Sequence, residues 1–289
     1  MPDIAPRGPW ADPGFARRYD ETFARSVAPL AGQALLALAN PQPGEAVLEC
    51  ACGTGAFTVP LAQRLGATNR LVSSDRAEAM LAIAAAKAPQ LGCARPLFVA
   101  QDMTAPAMRE SSFNLAACNL GMHIVSDPRR AMGELHRLLL PRGRLAFSVP
   151  GEWSLEPFWT YFWQRASRPD AVTALRTAPP SWTPADLAAS LDRDRRSWQQ
   201  LMANAGYGRV ITAVDGGVAW FPSVEDFLAT GPFGHIGRAR ELFTDPEVAE
   251  RVFRDVGQRL QQIKSSHGIP IDITVLCVLG YRAQTTGDE

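Results

Sequence analysis

The 289-residue sequence lacks a net charge, because 29 Lys and Arg residues balance 29 Asp and Glu. With no global electrostatic pull, neither nucleic acid nor an anionic membrane surface is the expected partner, and a tRNA or rRNA substrate is disfavoured. No apolar run approaches the roughly 18 residues that a membrane-spanning helix needs. Met1 to Asp12 carries prolines and acids in place of the basic region and apolar core of a secretion signal, which predicts a cytoplasmic protein. Five cysteines without a C-x-x-C pair argue against a disulfide framework and against zinc. Cys50 and Cys52 read as small buried hydrophobes. No cluster of carboxylates points to a metal, and internal repeats and low-complexity tracts are absent. What is present is a hydrophobic content of 46%, ample for a packed core in about two domains or one decorated domain.

The most informative stretch is Val47-Leu48-Glu49-Cys50-Ala51-Cys52-Gly53-Thr54-Gly55-Ala56-Phe57, which reads as a strand, a tight loop and a helix start. Glycines in such a loop permit positive φ and let a ligand lie against bare backbone. Arg70 to Asp75 reads as a second strand ending in an acid, roughly 20 residues after the loop, the spacing of a nucleotide-binding βαβ unit. Pro96 to Met103 and Phe113 to Asn119 repeat the pattern of an apolar strand with a polar end. In open α/β sheets the ligand crevice lies outside these carboxyl ends. The loop lacks a full G-x-G-x-x-G, which weighs against a dinucleotide.

Glu49-Cys50-Ala51-Cys52-Gly53-Thr54-Gly55, Asp75, Gln101-Asp102-Met103, the segment Leu120 to Pro128 and the segment Leu138 to Leu145 occur in an order and spacing that resemble one family. It is the class I S-adenosylmethionine-dependent methyltransferases, within them the small-molecule group of ubiquinone/menaquinone, methyltransferase type 11-like enzymes. The resemblance covers Gly44 to Pro150 well and extends loosely to the end, with the middle unmatched. The family usually has Asp at Glu49 and Gly at Ala51. An alanine does not readily take positive φ, so the second departure bears on cofactor affinity.

The resemblance implies an α/β fold, a doubly wound, seven-stranded Rossmann-like sheet whose last strand is antiparallel. Helical spacing of Phe15, Tyr19, Phe23, Val27 and Leu30 predicts a helical cap over residues 1–43, ended by Pro41-Gln42-Pro43-Gly44. Alternating strand and helix patterns, including helices over Ala77 to Ala88 and Arg130 to Leu140, predict a parallel core over 44–150 with right-handed crossovers. Residues 151–206 turn rich in Trp and Phe and read as a helical lid, expected to supply an apolar pocket for a ring or hydrocarbon body. Residues 207–289 read as closing strands near Gly208 to Val214 and Asp272 to Tyr281, separated by helices near Ser223 to Ala229 and Pro246 to Lys264.

The resemblance also implies roles. Gly53 and Gly55, with Ala51, bring backbone to the cofactor's amino-acid portion, and Glu49 organises the loop or accepts from the cofactor's ammonium. Asp75 accepts both ribose hydroxyls, a match between two carboxylate oxygens and a vicinal diol, although the residue also suits a helix N-cap. Asp102 accepts from the adenine amino group, Met103 offers a backbone N–H and an apolar surface, and Arg76, Gln101, Asn119 and Tyr19 complete the cofactor set. His123 is the candidate general base, with substrate packing as its alternative, and His235 is a second candidate or a surface loop residue. The expected activity moves a methyl from S-adenosylmethionine to an O, N or C atom of a small apolar or aromatic metabolite such as a quinone or polyketide. The expected assembly is a monomer or homodimer. The alternatives are a non-methylating cyclisation or rearrangement at the same cofactor, and a non-catalytic nucleotide-binding module.

Overall fold

Asp12 starts the first helix by accepting the Phe15 N–H at 2.6 Å, with Pro13 at a position that needs no donor. The computed structural model describes residues 9–66, 70–88, 96–151, 155–176, 184–229 and 239–283, with 184–193 as backbone. The continuous cap helix expected from Phe15 to Leu38 is three pieces, α1 (Pro13–Glu21), α2 (Phe23–Ser26) and α3 (Ala28–Ala39). At the first break the Thr22 hydroxyl donates to the Arg18 carbonyl at 2.7 Å, competing with the helical ladder. At the second, Pro29 in the first turn of α3 removes a donor.

The chain then alternates β1 (Ala46–Cys50), α4 (Thr58–Leu65), β2 (Arg70–Asp75), α5 (Glu78–Lys87), β3 (Leu97–Ala100), β4 (Phe113–Asn119), α6 (Pro128–Leu138) and β5 (Leu139–Pro150). Strand β3 ends at Ala100, so Gln101, Asp102 and Met103 form a loop at its carboxyl end. The helices α7 (Phe158–Ala166), α8 (Pro169–Val172) and α9 (Pro184–Asn204) follow, then β6 (Tyr207–Phe221), α10 (Val224–Ala229), α11 (Pro246–Gln262) and β7 (Ile269–Arg282). The sheet has seven strands in the order β3-β2-β1-β4-β5-β7-β6. Strands β1 to β5 pair in parallel, and β7 runs antiparallel between β5 and β6, as the resemblance implied. Central β1 is buried at all five residues, which a strand covered on both faces requires.

The aromatic insert packs differently from expectation. Phe158 and Phe162, one turn apart on α7, are fully buried and meet Phe253 of α11 at 6.0 and 5.8 Å between ring centroids. Phe158 also meets Phe227 of α10 at 5.6 Å. Helical spacing sends these rings into a core shared with α10 and α11 instead of toward the sheet's carboxyl ends. Trp153, His235, Cys93 and the polar tail Gly287 to Glu289 lie outside the described residues. Cys50, Cys52, Cys118 and Cys277 are free and buried.

Candidate active site

Strand β1 ends in a turn built by three consecutive-but-one positive φ values, +51° at Ala51, +54° at Gly53 and +84° at Gly55. The Cys52 N–H donates to the Ser74 carbonyl at 3.0 Å and the Gly55 N–H to the Cys52 carbonyl at 2.9 Å, which closes the turn against β2. Beneath it the Glu49 carboxylate is 1% exposed. Its Oε2 accepts from the Thr58 hydroxyl at 2.6 Å and the Ser73 hydroxyl at 2.7 Å, joining β1, β2 and the start of α4. Burial, opposed by those two hydrogen bonds and reinforced by the charge of Asp75, pushes the Glu49 pKa up to about 7.

A cavity of about 260 Å³ opens above the turn, at the carboxyl ends of the parallel strands. Of the residues singled out from sequence, Tyr19, Ala51, Gly53, Asp75, Arg76, Gln101, Asp102, Met103, Asn119 and His123 all line it. Glu49 and Gly55 do not. Glu49 lies below the loop as its organiser, and a side chain at Gly55 would meet the Ala84 Cβ at 3.1 Å, so that glycine lets α5 approach the loop.

Asp75 spans two backbone donors. Its Oδ2 accepts from Gly53 and its Oδ1 from Ala77, both at 2.9 Å. Helix α5 starts beyond Ala77, so the carboxylate is not that helix's N-cap. Burial raises its pKa, against backbone hydrogen bonds from Ala77, Gly53 and Arg76. Asp102 holds the next turn through Oδ1, which accepts the Thr104 N–H at 2.8 Å and hydroxyl at 2.9 Å. Its Oδ2 lies 3.4 Å from Arg76 Nε.

Tyr19 of α1 lies over Gly53, where an added Cβ would be 3.6 Å from the ring. It meets Trp10 edge-on at 5.9 Å and stacks on Phe23 at 5.4 Å, so the cap roofs the cavity with aromatic rings. Burial raises the Tyr19 pKa, with Asp75 and Asp20 adding to the shift. Lys87 fastens this roof: its ammonium pairs with Asp20 of α1 and donates to the Thr54 carbonyl of the loop at 2.9 Å.

Asn119 faces the cavity with its side chain already engaged, Nδ2 donating to the Ala28 carbonyl at 3.1 Å and Oδ1 accepting from the Ser148 hydroxyl at 2.7 Å. Cofactor contact at Asn119 was expected through backbone or side chain, and these two bonds tie the side chain to α3 and β5. His123, on a short 3-10 turn after Gly121, lines the cavity, as do Phe23, Val27, Ile124, Pro150 and Leu155. Leu155 is the one lining residue from 151–206 among the described residues. The apolar wall comes instead from α2, β5 and β7, including Ile273 and Val275, which sequence reasoning missed because they read as ordinary buried strand residues. Among the described residues, no group of three or more His, Cys, Asp and Glu could hold a metal ion, and no helix is long and apolar enough to cross a membrane.

A methyltransferase-domain family profile matches residues 47–143, from β1 to the start of β5. Residues 47–143 thus carry a methyltransferase domain. The chain is 32% identical over 162 residues to nocamycin O-methyltransferase of Saccharothrix syringae, covering 54% of this chain and 58% of that one. It is 27% identical over 170 residues to demethylmenaquinone methyltransferase of Renibacterium salmoninarum, covering 58% and 68%. The chain thus spans a little over half the length of the first of these relatives. In fold, it matches the YcgJ protein of Bacillus subtilis with a TM-score of 0.53 at 14% identity, over 88% of this chain and 99% of that one. Gly53, Asp75, Asp102 and Asn119 of the methyltransferase domain all fall within the matched segment, whereas the roof of Trp10 and Tyr19 lies before it.

Proposed function

We propose that this protein transfers a methyl group from S-adenosylmethionine to an O, N or C atom of a small apolar or aromatic metabolite of quinone or polyketide type. The observation that supports this reading is one cavity whose lining changes along the sheet edge. The ends of β1, β2 and β3 bring Asp75, Arg76, Asp102 and the bare Gly53 backbone, and α2 with the ends of β4, β5 and β7 brings aliphatic and aromatic side chains and His123.

The donor set fits the cofactor. Asp75, a cavity-lining carboxylate at the end of β2, suits ribose hydroxyls, and the Asp102 Oδ2 and the Met103 backbone suit an adenine edge. Gly53 and Ala51, with the Asn119 backbone, would take the amino-acid portion. When bound, S-adenosylmethionine supplies an electrophilic methyl on a sulfonium, and the protein's share of the work is alignment and exclusion of water. His123 would take the proton of an acceptor hydroxyl or phenol as it attacks. Apolar lining without a charged side chain favours a neutral ring or hydrocarbon over a phosphorylated or amino-acid substrate, because an unpaired charge there would be desolvated without a partner. The names of the two relatives, one for nocamycin and one for demethylmenaquinone, support the same choice. Zero net charge supports a small-molecule substrate over a nucleic acid. A cytoplasmic location and a monomeric or homodimeric state belong to the same proposal.

Calorimetric titration with S-adenosylhomocysteine, with NADH and ATP as controls, tests the cofactor. Saturable binding of the first alone is expected, and its absence sinks the reading. Incubation with phenols, quinols and polyketides, read as released S-adenosylhomocysteine and a methylated product, then tests the reaction.

A further inference from the structure

Asn119 and Ser148 sit opposite each other at the carboxyl ends of β4 and β5. The polarity of their contact is fixed by its surroundings. Ser148 Oγ accepts the Leu120 N–H at 3.0 Å, so it gives its single proton to Asn119 Oδ1, 2.7 Å away. Asn119 is left to donate through Nδ2 to the Ala28 carbonyl, which can only accept, at 3.1 Å. Ser148 is fully buried and stands behind the cavity, while Asn119 and Leu120 line it. Leu120 holds φ at +53°, a left-handed conformation that is strained for an L-residue and persists only where its surroundings enforce it. Its N–H also reaches the Ser148 carbonyl at 3.2 Å. Ala28 directly follows Val27, which also lines the cavity.

We propose that Ser148 is a positioning residue for the amino-acid end of the methyl donor: its hydroxyl holds the left-handed Leu120 turn and, through Asn119, the start of α3. This rests on the cavity being the S-adenosylmethionine site. Asp102 and Asp75 mark the ends of β3 and β2, so a donor whose adenosine lies there directs its amino-acid end across β1 to β4, where the Ser148 relay sets the floor. Ser148 therefore acts on the homocysteine part and leaves the adenosine part alone.

The test compares S-adenosylhomocysteine with 5′-methylthioadenosine, which keeps the adenosine and lacks the amino-acid end. Both are titrated calorimetrically into wild type, Ser148→Ala and Ser148→Thr at a temperature where circular dichroism shows each folded. Ser148→Ala should weaken S-adenosylhomocysteine about tenfold and 5′-methylthioadenosine by less than about twofold, with Ser148→Thr restoring the first. Faster hydrogen exchange at the Leu120 amide should accompany the loss. Equal weakening of both ligands, or of neither, overturns the proposal, whereas a wild type that binds no S-adenosylhomocysteine overturns the reading of the site instead. Should Ser148→Ala not fold, Ser148→Cys, similar in shape with a weaker hydrogen-bonding group, is read in the same titrations; affinities equal to wild type overturn the proposal.

Discussion

Ala51 and Gly121 face each other so closely that a methyl group on Gly121 would lie 2.6 Å from the Ala51 Cβ and 2.7 Å from Cys118 Sγ. The alanine standing where the family usually has glycine is thus accommodated by a glycine 70 positions away in sequence, and it holds φ at +51°. Gly121→Ala should destabilise the protein by about 1–3 kcal/mol through overpacking. Ala51→Gly should stabilise it by up to about 1 kcal/mol, since relief of left-handed strain exceeds the effect of the entropy gained by the unfolded chain. In the double variant part of the Gly121→Ala cost disappears, with a coupling of at least about 0.5 kcal/mol by urea denaturation. Strictly additive effects would show that the two sites do not touch.

Asp75→Ala removes the acceptor for Gly53 and Ala77 and the proposed partner of the ribose. S-adenosylhomocysteine should bind about 1–3 kcal/mol more weakly by calorimetry. Unchanged affinity would remove Asp75 from the cofactor site.

Glu49 gives a pH signature. Its pKa rises from 4.5 to about 7 on folding. Between those values the native state keeps a proton that the unfolded chain has released, so stability falls as pH rises through that window and is level above it. The shift corresponds to about 3 kcal/mol. Glu49→Gln should flatten the decline in Tm from pH 4.5 to 7 relative to wild type. Parallel curves for the two proteins would contradict the assignment.

The clasp formed by Lys87, Asp20 and the Thr54 carbonyl joins the roof to the loop at a partly exposed position. Lys87→Met should speed dissociation of S-adenosylhomocysteine in stopped-flow displacement. Raising the ionic strength should speed it in wild type and much less in the variant, because salt screens an exposed ion pair. Identical salt dependence would exclude the clasp.

His123→Ala should lower turnover with any methyl acceptor found while leaving S-adenosylhomocysteine affinity within about threefold, as expected for a group that acts on the proton of the acceptor. Equal turnover across pH would exclude His123 as the base.

Local chemistry made the core legible before any coordinates. Apolar runs that end in Glu49, Asp75, Asp102 and Asn119, separated by helical patterns, specify parallel strands whose carboxyl ends meet, because strand period and crossover handedness leave few other arrangements. The sequence by itself therefore determined the parallel strands of the core, the loop after β1 and the acids at their carboxyl ends, while the antiparallel last strand was implied by resemblance. Tertiary structure alone decided the rest. Whether Ala51 could adopt a left-handed turn depended on the empty space at Gly121, and whether Asn119 was free for a ligand depended on Ser148 and Ala28, contacts far apart along the chain. The rings of α7 looked like a substrate pocket in composition, but their direction was set by the helix face that met Phe253. The apolar wall came from Phe23, Val27, Ile273 and Val275, whose residue types are those of any core. Burial and hydrogen-bond partnership are properties of neighbours in space, and a single sequence lists only neighbours along the chain.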